Sequence, residues 1–241
     1  MTPLRSIYLL TGGKSSRMGQ DKASLPYDDD TLLEYQAERC RSLFHEVVLL
    51  SGQKTYPVPD RHVFDEEADA GPLSGILSGL KDPGDQESVA VMAVDLPMTT
   101  LETLRLLATR DMPGGTDVLI ADASLSWSGT TVPGKTESGK GHGSMRTDQS
   151  RVETHKEAGE GVSRSLSISS IAKEWRKSIQ PLLGIYHRRI VPQLTDYLRE
   201  GNRSVMGFLD RVSVSGFPVR EEEIRNINTR EEYRKFISRK Q

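Results

Sequence analysis

Ser6-Ile7-Tyr8-Leu9-Leu10-Thr11-Gly12-Gly13-Lys14-Ser15-Ser16-Arg17-Met18-Gly19-Gln20-Asp21-Lys22 is the stretch on which the fold turns. Ser6–Leu10 is a short apolar run halted by Gly12 and Gly13, which suits a buried first strand. A glycine pair directly behind such a strand lets backbone N–H groups approach a ligand with no side chain between them. Lys14, Arg17 and Lys22 then place three cations within nine residues. That set matches a triphosphate, with turn amides for direction, arginine for bidentate contacts and lysine as a point charge. Two common phosphate loops do not fit. A Walker A loop needs glycine five residues before the Gly-Lys pair, where Tyr8 stands, and the spaced glycines of a dinucleotide fingerprint are missing from the loop.

Outward from this loop, residues 6–121 alternate between strand and helix. Thr31 and Glu34 stand at capping-box spacing ahead of a helical face built from Leu33, Ala37, Cys40 and Phe44. Val47–Leu50 reads as a second strand. Pro72 behind Gly71 opens a helix with Leu73, Ile76, Leu77 and Leu80 on its stripe. Val89–Val94 is a third strand, closed by Asp95-Leu96-Pro97. Leu101, Leu104, Leu107 and Ala108 mark another helix, and Val118–Ala121 another strand. Near-continuous apolar strands between amphipathic helices indicate a mostly parallel sheet covered on both faces, an α/β domain.

Residues 124–170 break the pattern: 23 of these 47 are Ser, Gly or Thr, and no apolar period runs through them. Such a segment buries too little apolar area to offset its ordering entropy, so it reads as a flexible surface insertion within one domain spanning 1–241. Regular elements resume at Leu182–Tyr186, then a helix using Ile190, Val191, Leu194 and Leu198, and a short helix at Val205–Leu209. Thr229 and Glu232 repeat the capping-box spacing before Tyr233, Phe236 and Ile237.

Composition narrows the class further. A formal charge of −2 over 241 residues, with a pI near 6.2, gives no basic field for nucleic acid. The single Cys40 excludes an intramolecular disulfide and a cysteine-rich zinc site. No apolar run approaches the roughly 20 residues of a membrane helix. The expectation is a cytoplasmic protein with neither a membrane nor a nucleic acid as partner. The five histidines (His45, His62, His142, His155, His187) lack metal-ligand spacing and read as filler. Trp127 and Trp175 read as anchors on either side of the insertion, and the charged runs Arg220–Arg225 and Arg230–Lys240 as a solvated face.

At the glycine loop the chain resembles the molybdenum cofactor guanylyltransferases, the MobA-type enzymes of the wider Rossmann-like, glycosyltransferase-A-like nucleotidyltransferases. Further matching blocks follow in order: Asp65 before Gly71-Pro72-Leu73-Ser74-Gly75, then Val94-Asp95-Leu96-Pro97 and Pro181-Leu182-Leu183-Gly184-Ile185-Tyr186. Arg203-Ser204-Val205-Met206 and Asn226-Ile227-Asn228-Thr229 complete them. The resemblance implies transfer of GMP from GTP to the terminal phosphate of molybdopterin, with release of pyrophosphate and dependence on Mg²⁺. It implies a nucleotide held at Leu10, Thr11, Gly12, Gly13, Lys22, Ser51, Asp65 and Asp95, with Asp95 as the metal ligand. Arg17, Lys22 and Asp95 are the implied catalytic set, and Asn226 and Asn228 lie on the molybdopterin side. Molybdenum-insertion proteins or molybdoenzyme chaperones are the implied protein partners.

The chemistry needs these types of residue on its own account. Phosphoryl-type transfer asks for alignment and charge neutralisation, and Mg²⁺ takes one or two carboxylates plus phosphates and waters. The nucleophile is a phosphate already ionised at neutral pH, which fits a chain without a Ser-His-Asp or Cys-His set. Two positions depart from the family pattern. Ser51 stands where relatives often carry asparagine, and Arg230 where they usually carry proline. The Gly12-Gly13 pair resembles the guanylyl group more than the cytidylyl group; another nucleoside triphosphate or another phosphorylated acceptor is the alternative.

Overall fold

The computed structural model describes residues 5–11, 20–65, 71–84, 86–125 and 175–238. The expectations for Gly12, Gly13, Lys14 and Arg17, and nearly all of the Ser/Gly/Thr-rich segment, fall outside the described residues. Strand β1 is Ser6–Leu10, followed by a two-strand ribbon of β2 (Pro26–Tyr27) and β3 (Asp30–Thr31) and helix α1 (Leu32–Arg41). Next come β4 (Glu46–Leu50), β5 (Arg61–Val63), α2 (Pro72–Lys81), β6 (Ser88–Ala93) and α3 (Leu101–Thr109). The second half holds β7 (Val118–Asp122), α4 (Trp175–Ser178), β8 (Ile179–His187), α5 (Val191–Arg199), α6 (Val205–Leu209), β9 (Val214–Pro218) and α7 (Arg230–Ser238).

Seven strands form one sheet in the order β5-β4-β1-β6-β8-β7-β9. Every neighbouring pair is parallel except the two made by β8, which runs antiparallel to both β6 and β7. Side-chain alternation along β1 shows why both faces are covered. Ile7 and Leu9 enter a core with Leu33, Ala37 and Cys40 of α1 and Leu104 and Leu107 of α3. Tyr8 and Leu10 enter the opposite core with Leu73, Ile76 and Leu80 of α2 and Leu194 of α5. The mostly parallel α/β sheet read from the sequence is the sheet observed, with β8 as the reversed strand.

Helix starts follow their side chains. Thr31 caps α1 by accepting from Glu34 N at 3.2 Å, but the Glu34 carboxylate turns to Arg41 at 2.8 Å, so only half of that capping box forms. At α7 the box is complete: Thr229 Oγ1 accepts from Glu232 N, and Glu232 Oε2 accepts from Thr229 N and Asn228 N. Arg230 therefore opens α7 on a full cap without the family's proline. Helix α2 starts with Pro72 behind Gly71, whose φ of 82° is a left-handed conformation that glycine adopts without strain. Its Gly75 lets the helix press onto the sheet, because a Cβ there would lie 2.8 Å from Leu10 Cδ2.

Strand order places the site. The chain leaves β1 toward β4 and β5 on one side and later returns to β6 on the other, so the carboxyl end of β1 is a topological switch point. Ligands of open α/β sheets bind at such crevices. Residues 12–19 follow β1 at that point in the chain.

Candidate active site

Two groups of polar residues stand at the carboxyl ends of the strands, one on each side of β1. On the β6 side, Asp95 lies in the turn that follows Ala93. Val94 N donates to Leu10 O at 3.0 Å and ties this turn to the end of β1. Lys22 Nζ donates to Asp95 Oδ2 at 2.6 Å and to Asn228 Oδ1 at 2.7 Å. Asn226 Nδ2 donates to the other carboxylate oxygen, Asp95 Oδ1, at 2.7 Å. The backbone follows the same path, since Ile227 N donates to Asp95 O at 2.9 Å. The Lys22 and Asp95 side chains are 17% and 14% exposed, enough to meet a ligand yet too sheltered for water to screen the pair fully. Four residues singled out in the sequence, drawn from positions 22, 95, 226 and 228, thus form one connected network.

Two residues that sequence reasoning missed support this region, one inside the network and one beside it. Gln180, at the start of β8, donates through Nε2 to Asn226 Oδ1 at 2.7 Å and to Ile224 O at 3.0 Å. This fixes which way the Asn226 amide faces. Its signal in the sequence was adjacency to the Pro181–Tyr186 block, which a single glutamine does not amplify. Glu223 corrects the expectation for Arg220–Arg225. It is 2% exposed, and its Oε2 accepts from Thr100 N, Thr100 Oγ1 and Thr103 Oγ1 at 2.6–2.9 Å. The run is not wholly solvated because Glu223 docks onto the amino terminus of α3, where its negative charge is favoured. The segment carrying Asn226 and Asn228 is thereby pinned to the sheet.

On the β4 side, Thr11 is 4% exposed, and its backbone N and Oγ1 both donate to Leu50 O. Ser51 N pairs with Val63 O, and Asp65 N donates to Gly52 O at 2.9 Å. Ser51 Oγ and Asp65 Oδ1 are buried and have no hydrogen-bond partner among the described residues. Burial pushes the Asp65 carboxyl up to about 6, partly countered by the Ser74 hydroxyl. Asp65 Oδ1, Leu10 and Leu50 all lie around Gly75: a Cβ added there would sit 3.6 Å from Asp65 Oδ1 and 3.6 Å from Leu50 Cβ. Leu10, Thr11, Ser51 and Asp65 therefore share one corner. Ser51, doubtful as a ligand contact for want of an asparagine amide, is one of its two unsatisfied groups.

The other expectations resolve simply. Trp175 is an anchor, since its Nε1 donates to buried Asp122 Oδ2 at 2.6 Å. His62 accepts from Tyr56 N within the 51–60 connection, and His187 accepts from Arg189 N as the cap of a short 3-10 turn, so both serve local structure. Among the described residues no three of His, Cys, Asp or Glu cluster as a metal cage, and no helix is long and apolar enough to cross a membrane.

Comparison with known proteins bears on the family and the fold. A "Probable molybdenum cofactor guanylyltransferase" of Carboxydothermus hydrogenoformans is 24% identical over 241 aligned residues, covering 96% of this chain and 94% of that protein. One of Nostoc sp., with the same printed name, is 29% identical over 93% of this chain and 86% of its own length. The crystal structure of molybdopterin-guanine dinucleotide biosynthesis protein A from Archaeoglobus fulgidus superposes with a TM-score of 0.66. It covers 98% of this chain and all of that one at 19% identity, a likeness of fold. The model of the MobA-like NTP transferase domain matches residues 7–213, and the chain belongs to that family.

Proposed function

We propose that the protein transfers GMP from GTP to the terminal phosphate of molybdopterin and releases pyrophosphate. The observation that carries this reading is the convergence of Lys22, Asp95, Asn226 and Asn228 at one strand end, beside a corner where two buried polar atoms have no partner among the described residues. In the transfer, a terminal phosphate oxygen of the acceptor bonds to the α-phosphorus, and the bond from that phosphorus to the bridging oxygen breaks. Alignment and charge neutralisation are what such a reaction asks of a protein.

Each group then has a role. Thr11, Ser51 and Asp65 face the nucleoside, with Ser51 Oγ donating or accepting and the Asp65 carboxylate accepting from the base and sugar. Lys22 exchanges Asp95 and Asn228 for triphosphate oxygens, a charge-assisted contact. Asn226 and Asn228 offer amide groups to the acceptor. Gly12, Gly13 and Arg17 belong to the same proposal through the loop they occupy in the sequence.

Mg²⁺ fits the donors at this strand end. Asp95 supplies one hard carboxylate at the rim of the sheet, and the nearby amide oxygens are of the same hard type. With no three-residue cage among the described residues, phosphate oxygens and water would complete the shell, which is the usual habit of Mg²⁺. When bound, the ion neutralises charge on the triphosphate. The domain reading is part of the proposal too: residues 1–241 act as one catalytic unit, interrupted by the Ser/Gly/Thr-rich segment.

The test is turnover with purified protein, Mg²⁺ and molybdopterin, reading pyrophosphate release and dinucleotide product with GTP, CTP and ATP. Product with GTP alone is the expected outcome. Product with CTP alone would transfer the reading to the cytidylyl reaction, which the serine at position 51 makes worth the control, because an unmatched partner in a base pocket shifts selectivity strongly.

A further inference from the structure

Asp21 stands directly before Lys22 in the sequence and meets a side chain from a distant stretch of the chain. Tyr56 OH donates to Asp21 Oδ2 at 2.8 Å. Tyr56 comes from the connection between β4 and β5, so it joins two separate stretches at one oxygen. Its position is well determined. The residue is 7% exposed, packs within the core on the α1 face, stacks on His62 with ring centroids 6.4 Å apart, and donates its backbone N to His62 Nε2.

Asp21 is equally well held. Its Oδ1 accepts from Ala23 N at 3.1 Å, and its Oδ2 also accepts from Lys54 Nζ at 2.7 Å. The adjoining backbone turns twice on itself, with Ser24 N donating to Asp21 O and Leu25 N to Lys22 O. Lys22, one residue on, sends its ammonium the other way, to Asp95 and Asn228. Moving Asp21 therefore moves the backbone from which Lys22 reaches the site.

We propose that Tyr56 is a positioning residue: its hydroxyl, through Asp21, sets the reach of Lys22, and so governs affinity for the triphosphate part of the nucleotide. The proposal rests on the nucleotide reading above and adds to it a residue that touches neither base nor phosphate. Burial and the Asp21 carboxylate both push the ionisation of Tyr56 up, so the phenol keeps its proton as a donor. Tyr56→Phe keeps the ring and its packing and removes only the tie.

The test is the ratio of GTP to guanosine affinity, measured by calorimetry with Mg²⁺ on wild type, Tyr56→Phe and Asp21→Asn. Guanosine reports the corner at Ser51 and Asp65, and GTP reports that corner plus the phosphate site. The expected result is about tenfold weaker GTP binding in both variants, in line with the loss of a hydrogen bond to a charged group, and guanosine binding within about twofold of wild type. Equal loss of GTP and guanosine would show that Tyr56 merely shapes the 51–60 connection and would overturn the proposal. Unchanged GTP affinity in both variants would overturn it as well. A wild type that prefers CTP or ATP would defeat the guanine reading instead, and the same ratio would then be measured with that triphosphate and its nucleoside. Melting temperatures of both variants within a few degrees of wild type keep a folding defect apart from either outcome.

Discussion

The two sides of the strand-end crevice are finished to different degrees. On the β6 side, both carboxylate oxygens of Asp95 are occupied, and Asn226 is locked by Gln180. On the β4 side, Ser51 Oγ and Asp65 Oδ1 are buried and unmatched among the described residues. A buried polar atom without a partner costs roughly 1–3 kcal/mol. The Asp95 side is thus organised by the protein itself, whereas the Asp65 corner keeps polar atoms unmatched among the described residues, which in the proposed function a ligand would meet.

That contrast can be broken by substitution. On the satisfied side, removing a member should harm both activity and stability. Asp95→Asn is expected to lower Mg²⁺-dependent turnover by at least about a hundredfold, since carboxylate ligation of the ion is worth several kcal/mol. It should also lower the melting temperature, because Lys22 loses its charge partner in a sheltered place. Steady-state kinetics and calorimetric melting check both halves, and a more stable Asp95→Asn would contradict the account. Lys22→Met should weaken GTP binding by about ten- to a hundredfold while leaving guanosine binding near wild type. Titration with each ligand separates these effects.

The unsatisfied corner should respond in the opposite sense. The Asp65 carboxyl is raised to about 6 in the fold from an ordinary 3.8, so the native state holds its proton more tightly than the unfolded chain. Stability contributed by that proton is fully present below about pH 4 and falls as pH rises through about 6. Asp65→Asn, neutral at every pH, is thus expected to melt about 2–4 °C higher than wild type at pH 8, with the gain shrinking toward pH 4. It should bind GTP about tenfold more weakly at the same pH. Paired melts at pH 4 and pH 8 decide the first point, and a variant less stable at pH 8 would remove Asp65 from the unsatisfied class.

The smallest effect is expected for removal of the Ser/Gly/Thr-rich segment. Ala123 N donates to Ser178 O at 2.8 Å, and Asp122 accepts from Ser124, Trp175 and Ser178, so the chain on either side of the Ser/Gly/Thr-rich segment is joined without it. Removing residues 128–168 should leave nucleotide affinity within about threefold, since no apolar period runs through that stretch of the sequence. Loss of binding in a folded deletion variant would bring that segment into the site.

The sequence was most legible where local chemistry and local geometry coincide. β1 and β4, the proline-led α2 and the cap at Thr229 all announce themselves within a few residues, because burial, missing donors and capping hydroxyls act over one turn. Lys22, Asp95, Asn226 and Asn228 were found as separate residues through a family pattern, and their meeting is a property of the strand order. Elements β5 and β9 are three and five residues long and were not read, since short strands that owe their place to neighbours carry little pattern of their own. Glu223 was misread for a related reason. In a run of charges a single buried carboxylate has no periodic mark, and only its three donors from Thr100 and Thr103 identify it. Tyr56 and Asp21 are 35 positions apart, a pairing that no local spacing rule reaches.

The central claim is that one crevice reads a guanine nucleotide on its Asp65 side and handles the metal and triphosphate on its Asp95 side. Calorimetric titration of GTP, CTP and ATP with Mg²⁺ into wild type, Asp65→Asn and Asp95→Asn tests it most directly. The account predicts preferential binding of GTP by wild type, loss of that preference in Asp65→Asn, and loss of the Mg²⁺ contribution in Asp95→Asn with the preference kept. Equal binding of all three nucleotides by wild type, or a preference that disappears in Asp95→Asn but survives in Asp65→Asn, would contradict it.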